Sequence, residues 1–396
     1  MTDWRAVWII LAAGLAAGAQ MGKVPPALPA LRADLGLSLV ESGFVHTMMY
    51  TMGASLGVFG GALADRFGAK RFALLGLAFM AAGGLLGALA PGYALLLASR
   101  FFEGLGFILL TVSAASLITV ASQPRDRAAA FSLLACYMPA GGTLILAAAS
   151  LALQGSGWRS LWLGLAAYTV FCAMLLARYV PAPSFRRTVG SLRLLKETLT
   201  RPGILALCAV FICYVGQWTS LMTWLPTFAV EERAASASTA SWLTAAFVAI
   251  NIPGNLLGGA LLRFGMPRWL VMASGATAMG VTALGALSGA PDGERFACVL
   301  AFSLLGGVIP GAIFSATPLH AKSAQHIGTT NGMIMQASHL SQFAIPIIVA
   351  WLAARTGSWA SSRGMLLALA LAGVLAALAV GHFERRLTRG NAAPAS

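Results

Sequence analysis

Three charged residues lie inside long apolar stretches of this sequence, and their types favour solute and proton chemistry. Lys23 lies in residues 20–26 (QMGKVPP), and Arg100 and Glu103 lie one helical turn apart in another stretch. An ionisable side chain in a membrane segment costs about 2.5 kcal/mol or more, so it usually faces a partner or a polar cavity. We therefore predict that Lys23 and Arg100 bind a small anionic or polar solute, and that Glu103 carries a proton.

Each of these residues also has a structural interpretation, which the sequence leaves open. Pro25 and Pro26 should loosen the helix beside Lys23, but the long lysine side chain can also extend to the membrane surface. Arg100 and Glu103 are spaced to form an ion pair that locks helices together. Burial favours the neutral form of a lone carboxyl group, whereas a neighbouring arginine favours its charged form.

Two histidines in apolar stretches, His46 and His339, are further candidates for proton coupling and for solute binding, because histidine titrates near neutral pH. His46 shares a helix face with Tyr50, and His339 shares one with Gln336, so all four are included in the predicted binding set. The alternative is that each histidine is a hydrogen-bonded core residue.

Other polar residues at mid-membrane depth are predicted to line a cavity or to form hydrogen bonds between helices. The predicted binding set is completed by Gln20, Gln217, Trp218 and Asn251. No H-E-x-x-H or G-x-x-x-x-G-K-[ST] pattern occurs, and the five cysteines lack metal-ligand spacing. We therefore expect no enzyme activity, no cofactor, no metal and no direct use of ATP.

The elements that carry these residues are predicted to be membrane-spanning helices. Of the 396 residues, 58% are hydrophobic and only 10% are charged, whereas soluble domains have about 25% charged residues. The apolar stretches are close to the ~20 residues that cross a bilayer as a helix, and they lack the alternating pattern of barrel strands. The first is interpreted as a helix and not as a signal peptide, since it continues to about residue 30. Twelve spans are predicted: 6–30, 39–63, 72–90, 92–121, 128–153, 159–179, 203–229, 239–262, 269–288, 296–319, 328–354 and 363–382.

Six of these spans precede the longest polar segment, and six follow it. We predict an N-terminal six-helix bundle (1–179), a basic central loop (180–202) that contains a short amphipathic helix (191–199), and a C-terminal bundle (203–396). Placing both termini in the cytoplasm assigns 18 lysines and arginines to the inner side and 6 to the outer side, as the positive-inside rule requires. The net charge of +14 is thus spread over short loops, and no nucleic-acid partner is expected.

A charged, glycine-punctuated loop occurs twice in the sequence. Residues 61–71 (GALADRFGAKR) connect the second and third spans, and residues 258–268 (GGALLRFGMPR) repeat the pattern 197 positions later. An offset near half the chain length is typical of a transporter built from two repeats. The second copy has Leu262 where the first has Asp65.

These features resemble the major facilitator superfamily of transporters. The G-x-L-a-D-R-x-G-x-K-R loop, the six-plus-six spans and residues 100–106 (RFFEGLG) are similar to the patterns of that family. The resemblance implies an all-α fold of two pseudo-symmetric bundles that rock about a central site. It also implies that the Asp65 carboxylate contacts a helix N-terminus near residues 328–330 and holds an inner gate shut. The gating motif comprises Gly61, Asp65, Arg66, Gly68, Lys70 and Arg71.

Two shorter segments are similar to subfamily patterns. Residues 224–227 (WLPT) resemble a segment of cyanate- and nitroimidazole-type permeases. Residues 137–142 (YMPAGG) partly resemble the antiporter signature of drug exporters, but Met138 stands where that signature has glycine. The departure weakens the resemblance to exporters.

The resemblance and the charged residues together predict a secondary active transporter of the inner membrane. It is expected to move a small anionic or polar organic solute by alternating access with proton symport, and to function as a monomer in the lipid bilayer. One alternative is a drug/proton antiporter of the same fold, which would need unpaired acids to bind a cationic drug. Another is a membrane sensor that binds a solute without moving it.

Overall fold

The computed structural model describes residues 1–55, 57, 68–181, 192–323 and 326–392, and these ranges are almost entirely helical. Short 3-10 turns cover Met48–Tyr50 and Trp359–Ser361. The α-helices are α1 (Trp4–Gly22), α2 (Val24–Leu35), α3 (Leu39–Thr47), α4 (Ala69–Ala88), α5 (Tyr93–Ala121), α6 (Arg127–Ala135), α7 (Tyr137–Gly155), α8 (Gly157–Tyr179), α9 (Leu192–Leu199), α10 (Pro202–Arg233), α11 (Ala237–Ala249), α12 (Asn251–Arg263), α13 (Arg268–Ala286), α14 (Asp292–Gly306), α15 (Val308–His320), α16 (Ile327–Thr356) and α17 (Ser362–Ala392).

Eleven segments in these ranges are long and apolar enough to cross a membrane. They correspond to all predicted spans except 39–63, of which residues 56 and 58–63 lie outside the described residues; its first part forms α3. Leu151 and Leu375 are 74% and 68% exposed, as suits side chains that face lipid. The predicted all-α, multi-pass membrane architecture is confirmed.

Prolines divide four predicted spans into two helices each. Four helices end four residues before a proline: α1 before Pro26, α6 before Pro139, α11 before Pro253 and α14 before Pro310. Proline has no N–H to donate to the carbonyl four residues earlier, and its ring crowds that carbonyl. The residue at each break keeps right-handed helical angles, so the second helix follows without a loop.

Contacts between Cα atoms divide the chain into two compact units. Unit 1 comprises residues 1–189 and 221–249, and unit 2 comprises residues 190–220 and 250–396. The most extensive packing in unit 1 joins α4 and α5, and in unit 2 it joins α13 and α17. The division into bundles at 1–179 and 203–396 with a loop at 180–202 stays a prediction.

Glycines set the position of α5, the helix that carries Arg100 and Glu103. A Cβ built on Gly104 would lie 2.2 Å from the Met49 carbonyl oxygen, and a Cβ built on Gly83 of α4 would lie 2.7 Å from the Ser99 carbonyl oxygen. Real Cβ atoms do not approach backbone oxygen so closely. The absence of a side chain at both positions therefore lets α5 pack directly against α4 and against the 3-10 turn.

The amphipathic helix predicted at 191–199 is confirmed as α9. The Glu197 carboxylate at its end accepts from Lys322 Nζ at 2.8 Å and lies 3.2 Å from His326 Nε2. These contacts attach α9 to the chain that leads into α16.

Candidate functional site

A buried cluster of Lys23, Arg100 and Glu103, here named the charged triad, lies in unit 1. All three side chains are 0% exposed. Lys23 Nζ donates to Glu103 Oε1 at 2.5 Å, and Arg100 Nη1 donates to Glu103 Oε2. The lysine therefore does not extend to the membrane surface, and the predicted pairing of Arg100 with Glu103 is confirmed. Glu103 is the one buried carboxylate in the described part of the chain, so two cations share a single anion.

The break between α1 and α2 places Lys23 in the triad. Its own N–H still donates to the Ala19 carbonyl at 3.0 Å, whereas Pro25 and Pro26 at the start of α2 cannot donate. The Lys23 ammonium lies 4.5 Å from the centroid of the Trp162 ring on α8. Such a cation–π contact stabilises a charge that is removed from water.

Arg100 holds three neighbouring elements together. Its Nε donates to the Val45 carbonyl at 3.1 Å, and its Nη2 lies 3.2 Å from the Gln20 carbonyl oxygen and 2.9 Å from Met49 Sδ. With Glu103 added, the guanidinium contacts α1, α3, the 3-10 turn and α5. A solute that binds Arg100 must therefore displace an existing contact, whereas Lys23 has one hydrogen-bond acceptor among the described residues and two further N–H groups.

Several buried polar atoms near the triad have no hydrogen-bond partner within the described ranges. They are both side-chain atoms of the Gln20 amide, both ring nitrogens of His46, Thr47 Oγ1 and Trp162 Nε1. A buried donor or acceptor that makes no hydrogen bond costs about 1–3 kcal/mol. Native structures rarely tolerate a group of such atoms unless water or a ligand satisfies them. The surroundings of the triad therefore offer unpaired hydrogen-bond donors and acceptors to a polar solute or to water.

The predicted pair of His46 and Tyr50 is brought together. Both side chains are buried, and their rings meet edge to face with centroids 5.9 Å apart. Tyr50 lies in the 3-10 turn that follows α3, so the pair keeps its contact across a change in helix type. Arg100 contacts Val45 and Met49, the residues that immediately precede His46 and Tyr50 in this segment.

Two of the predicted residues in unit 2, Trp218 and Asn251, bind the same residue, Ser303. Trp218 Nε1 donates to Ser303 Oγ at 2.9 Å, and Asn251 Nδ2 donates to the Ser303 carbonyl at 2.8 Å and to Tyr214 OH at 3.3 Å. Gln217 Nε2 donates to its own helix, at Cys213, while its buried Oε1 has no partner in the portion of the chain that is described.

The last two predicted residues of unit 2 lie on α16. His339 is buried and Gln336 is half-buried, one turn before it. They share a helix face, as their spacing predicts.

Half of the gating motif lies outside the described residues, namely Gly61, Asp65 and Arg66. Gly68, the residue immediately before α4, has φ +94°, a conformation that favours glycine. Lys70 Nζ donates to the Ala177 carbonyl at 2.8 Å, in the last turn of α8, and Arg71 is exposed. The proposed contact of Asp65 with residues 328–330 stays a prediction.

Sequence reasoning missed Trp162 as a member of the site. Trp162 lies in an apolar span, where an aromatic residue is most often part of the core. The only local signal is its position one turn after Trp158, which contacts it edge to face at 5.3 Å. Trp162 and Lys23 are 139 positions apart in the sequence, so no local pattern predicts their contact.

Comparisons with known proteins give one family and one fold. A family model described as Major Facilitator Superfamily matches residues 9–346. The puromycin resistance protein pur8 of Streptomyces alboniger is 30% identical over 214 residues, which cover 54% of this chain and 41% of that protein. The multidrug resistance protein MdtH of Yersinia pestis is 29% identical over 226 residues, which cover 55% of this chain and 54% of that protein. The chain thus spans about half the length of these relatives.

Solved structures share the fold over the full length. A bacterial homolog of the human lysosomal transporter Spinster has a TM-score of 0.79 at 17% identity, covering 100% of both chains. The D-xylose-proton symporter has a TM-score of 0.71 at 16% identity, covering 96% of this chain and 97% of that chain. At these identities the likeness concerns the fold alone. The similarity of residues 224–227 to cyanate- and nitroimidazole-type permeases stays a prediction.

Proposed function

Since the chain belongs to the major facilitator superfamily, we propose that it is a secondary active transporter that moves a small anionic or polar organic solute by proton symport. Membership of this family supports a membrane transporter over an enzyme. The nature of the solute and the coupling to protons are our proposal. One observation carries it: the buried triad has two cations, Lys23 and Arg100, for one carboxylate, Glu103.

The charge of the triad favours an anionic solute. With all three groups ionised, the triad has a net charge of +1 at a site with no exposed surface. A buried charge without a counter-charge is costly, and a solute carboxylate beside Lys23 would balance it. The unpartnered polar atoms of Gln20 and His46 supply hydrogen bonds for the remainder of a polar solute.

Proton binding and solute binding are linked through Lys23 in this proposal. Protonation of Glu103 removes the negative charge that Lys23 contacts, which raises the net charge of the triad and strengthens its attraction for an anion. By thermodynamic reciprocity, a bound anion then favours the protonated form of Glu103. His46 and His339 are the alternative proton carriers.

Alternating access and its gate complete the proposed mechanism. We propose that Asp65 acts as an inner latch, in an inner-membrane monomer with cytoplasmic termini. Asp65→Asn should then slow solute flux while leaving solute binding unchanged, because the latch contributes to the conformational change and not to the site. Flux can be measured in proteoliposomes and binding by thermal shift; an equal loss of both would show that Asp65 is not a latch.

A drug/proton antiporter is the second candidate, because the relatives at 29–30% identity are resistance proteins by name. The same Glu103 would then exchange a proton for a drug. The position of two cations beside this carboxylate disfavours a cationic drug, since the drug would meet like charge. The relatives and the triad therefore point in different directions. A sensor that binds a solute without transporting it is a third candidate. Solute flux into proteoliposomes would exclude this candidate.

Uptake and efflux assays separate these candidates. Proteoliposomes with an inward proton gradient should accumulate at least one of a set of labelled small carboxylates, such as acetate, lactate and succinate. Inverted vesicles loaded with puromycin or ethidium test the antiporter. Proton-driven drug movement without any carboxylate uptake would reject symport of an anion.

A further inference from the structure

A cavity of about 420 Å³ lies in unit 2, at one end of the helix bundle. It is lined by Arg201, immediately before α10, by His320, the last residue of α15, and by Phe383, Arg386 and Leu387 of α17. The absence of a side chain at Gly203 lets the His320 ring pack against the start of α10, since a Cβ there would lie 2.2 Å from the ring. The cavity is thus built from three packed helices and has a basic lining.

The two arginines of this cavity have no acidic partner in the described ranges. Arg201 Nη1 donates to the His320 carbonyl at 2.9 Å, which fixes its guanidinium at the cavity. Arg386 is exposed. The nearby carboxylate of Glu384 lies 3.8 Å from Arg268 and 3.9 Å from His320, and not within ion-pair distance of either cavity arginine. Two like charges therefore face one space, which an anion would stabilise.

The cavity also lies where the lipid-facing surface of the helices ends. On α17, Leu371, Leu375 and Leu378 are 58%, 68% and 43% exposed, and the same helix face continues through His382 to Arg386. On α10, Leu205 is 48% exposed and lies one turn after Arg201. On each helix, exposed apolar side chains thus lie next to a guanidinium group, the order in which a phospholipid presents its acyl chains and its phosphate.

We propose that this cavity binds the phosphate headgroup of an anionic phospholipid, with Arg201 and Arg386 as the phosphate ligands. The glycerol of the lipid lies against Phe383, and its acyl chains follow the leucines of α10 and α17. The cavity is at the membrane face predicted to be cytoplasmic, where basic pockets between helices commonly bind acidic lipids. A free phosphate would use the arginines but gain nothing from the leucines, so the continuous apolar surface favours the lipid.

Lipid retention and thermal stability test the proposal on the full chain. The protein is placed in phosphatidylcholine nanodiscs with or without phosphatidylglycerol, and bound lipid is counted by native mass spectrometry after release. Phosphatidylglycerol should be retained and should raise the apparent melting temperature. Arg386→Gln should weaken its binding about five-fold, the equivalent of ~1 kcal/mol for one basic residue at an acidic surface.

A matched control variant tests for a general surface-charge effect, and a soluble phosphate probe tests whether the ligand must be a lipid. Arg263→Gln removes the same charge from an exposed position outside the cavity and should leave lipid binding unchanged. Equal losses in Arg263→Gln and Arg386→Gln would show a general surface effect and overturn the proposal. Equal protection by millimolar inorganic phosphate or glycerol phosphate in phosphatidylcholine alone would overturn the choice of a lipid. Arg201→Gln, which also loses its bond to His320, should weaken binding further and lower the melting temperature in every lipid.

Discussion

Lys23 Nζ lies 2.5 Å from Glu103 Oε1, and neither side chain is exposed. Arg100 contacts the other oxygen of the same carboxylate. The two cations differ in their remaining contacts: Arg100 is bound to α1, α3 and the 3-10 turn, whereas Lys23 adds only the face of Trp162 among the described residues. Lys23 is therefore the cation best able to exchange Glu103 for a solute.

Lys23→Met tests this role. Methionine keeps the length of the side chain but cannot bind an anion, so the apparent KM for an anionic solute should rise about ten-fold or more, as expected for the loss of a charged hydrogen bond of ~1.5–3 kcal/mol. Uptake kinetics in proteoliposomes measure it. Lys196→Met, which removes an exposed lysine on α9, is the control. An unchanged KM in Lys23→Met would show that the lysine has a structural role only.

Glu103→Gln tests proton coupling. Glutamine has the size of glutamate and still accepts hydrogen bonds, but it cannot release a proton in this site. Accumulation driven by a pH gradient should be lost, while exchange of labelled for unlabelled solute continues. Glu294→Gln, an exposed residue in the first turn of α14, should behave as the unmodified protein. Undiminished accumulation in Glu103→Gln would show that another group, such as His46, carries the proton.

Gly83→Ala tests the packing that positions Glu103. The added Cβ would lie 2.7 Å from both Glu103 Cγ and the Ser99 carbonyl oxygen, so α4 and α5 must separate. The free energy of unfolding should fall by about 1–3 kcal/mol, as for other over-packed sites. Gly164→Ala on α8 is the matched control, because its Cβ would meet no atom within 4 Å. Thermal unfolding of both variants in the same detergent gives the comparison; equal melting temperatures would contradict the argument.

Asp34 gives a pH-dependent prediction at the end of α2. Hydrogen bonds from Arg159 at 2.5 Å and from Trp158 at 3.0 Å lower the pKa of this carboxyl group below its ordinary value of 3.8. Because the folded pKa is the lower one, Asp34 stabilises the protein fully above pH 3.8, and this contribution is lost as the pH falls through the lowered pKa. Asp34→Asn should therefore reduce the melting temperature at pH 7, and the difference should shrink in acid.

Melting curves of Asp34→Asn at several pH values check this sign. Asp292→Asn, at a carboxylate that is 70% exposed and 3.9 Å from Arg295, should show a smaller effect throughout. A difference between Asp34→Asn and the unmodified protein that grows on acidification would be inconsistent with a lowered pKa.

Local patterns sufficed for much of the architecture. Apolar length alone predicted the membrane spans, because a bilayer imposes a nearly fixed helix length. The spacing of Arg100 and Glu103 predicted their pairing, because residues three apart share a helix face. The amphipathic pattern of residues 191–199 predicted α9 for the same reason. The breaks at Pro139, Pro253 and Pro310 were not predicted, although each follows from a missing N–H that the sequence displays.

The sequence by itself determined that Lys23 and Glu103 are ionisable groups in a membrane protein, and that each needs a partner there. Only the tertiary structure decided that they are each other's partner, that Trp162 covers the lysine, and that Arg100 is bound by the carbonyls of two other helices. The physical reason is that burial cost is a property of one residue in its local segment, whereas its compensation depends on which distant segments pack together. That packing is set by close approaches such as those at Gly83 and Gly104, which no single stretch of sequence contains.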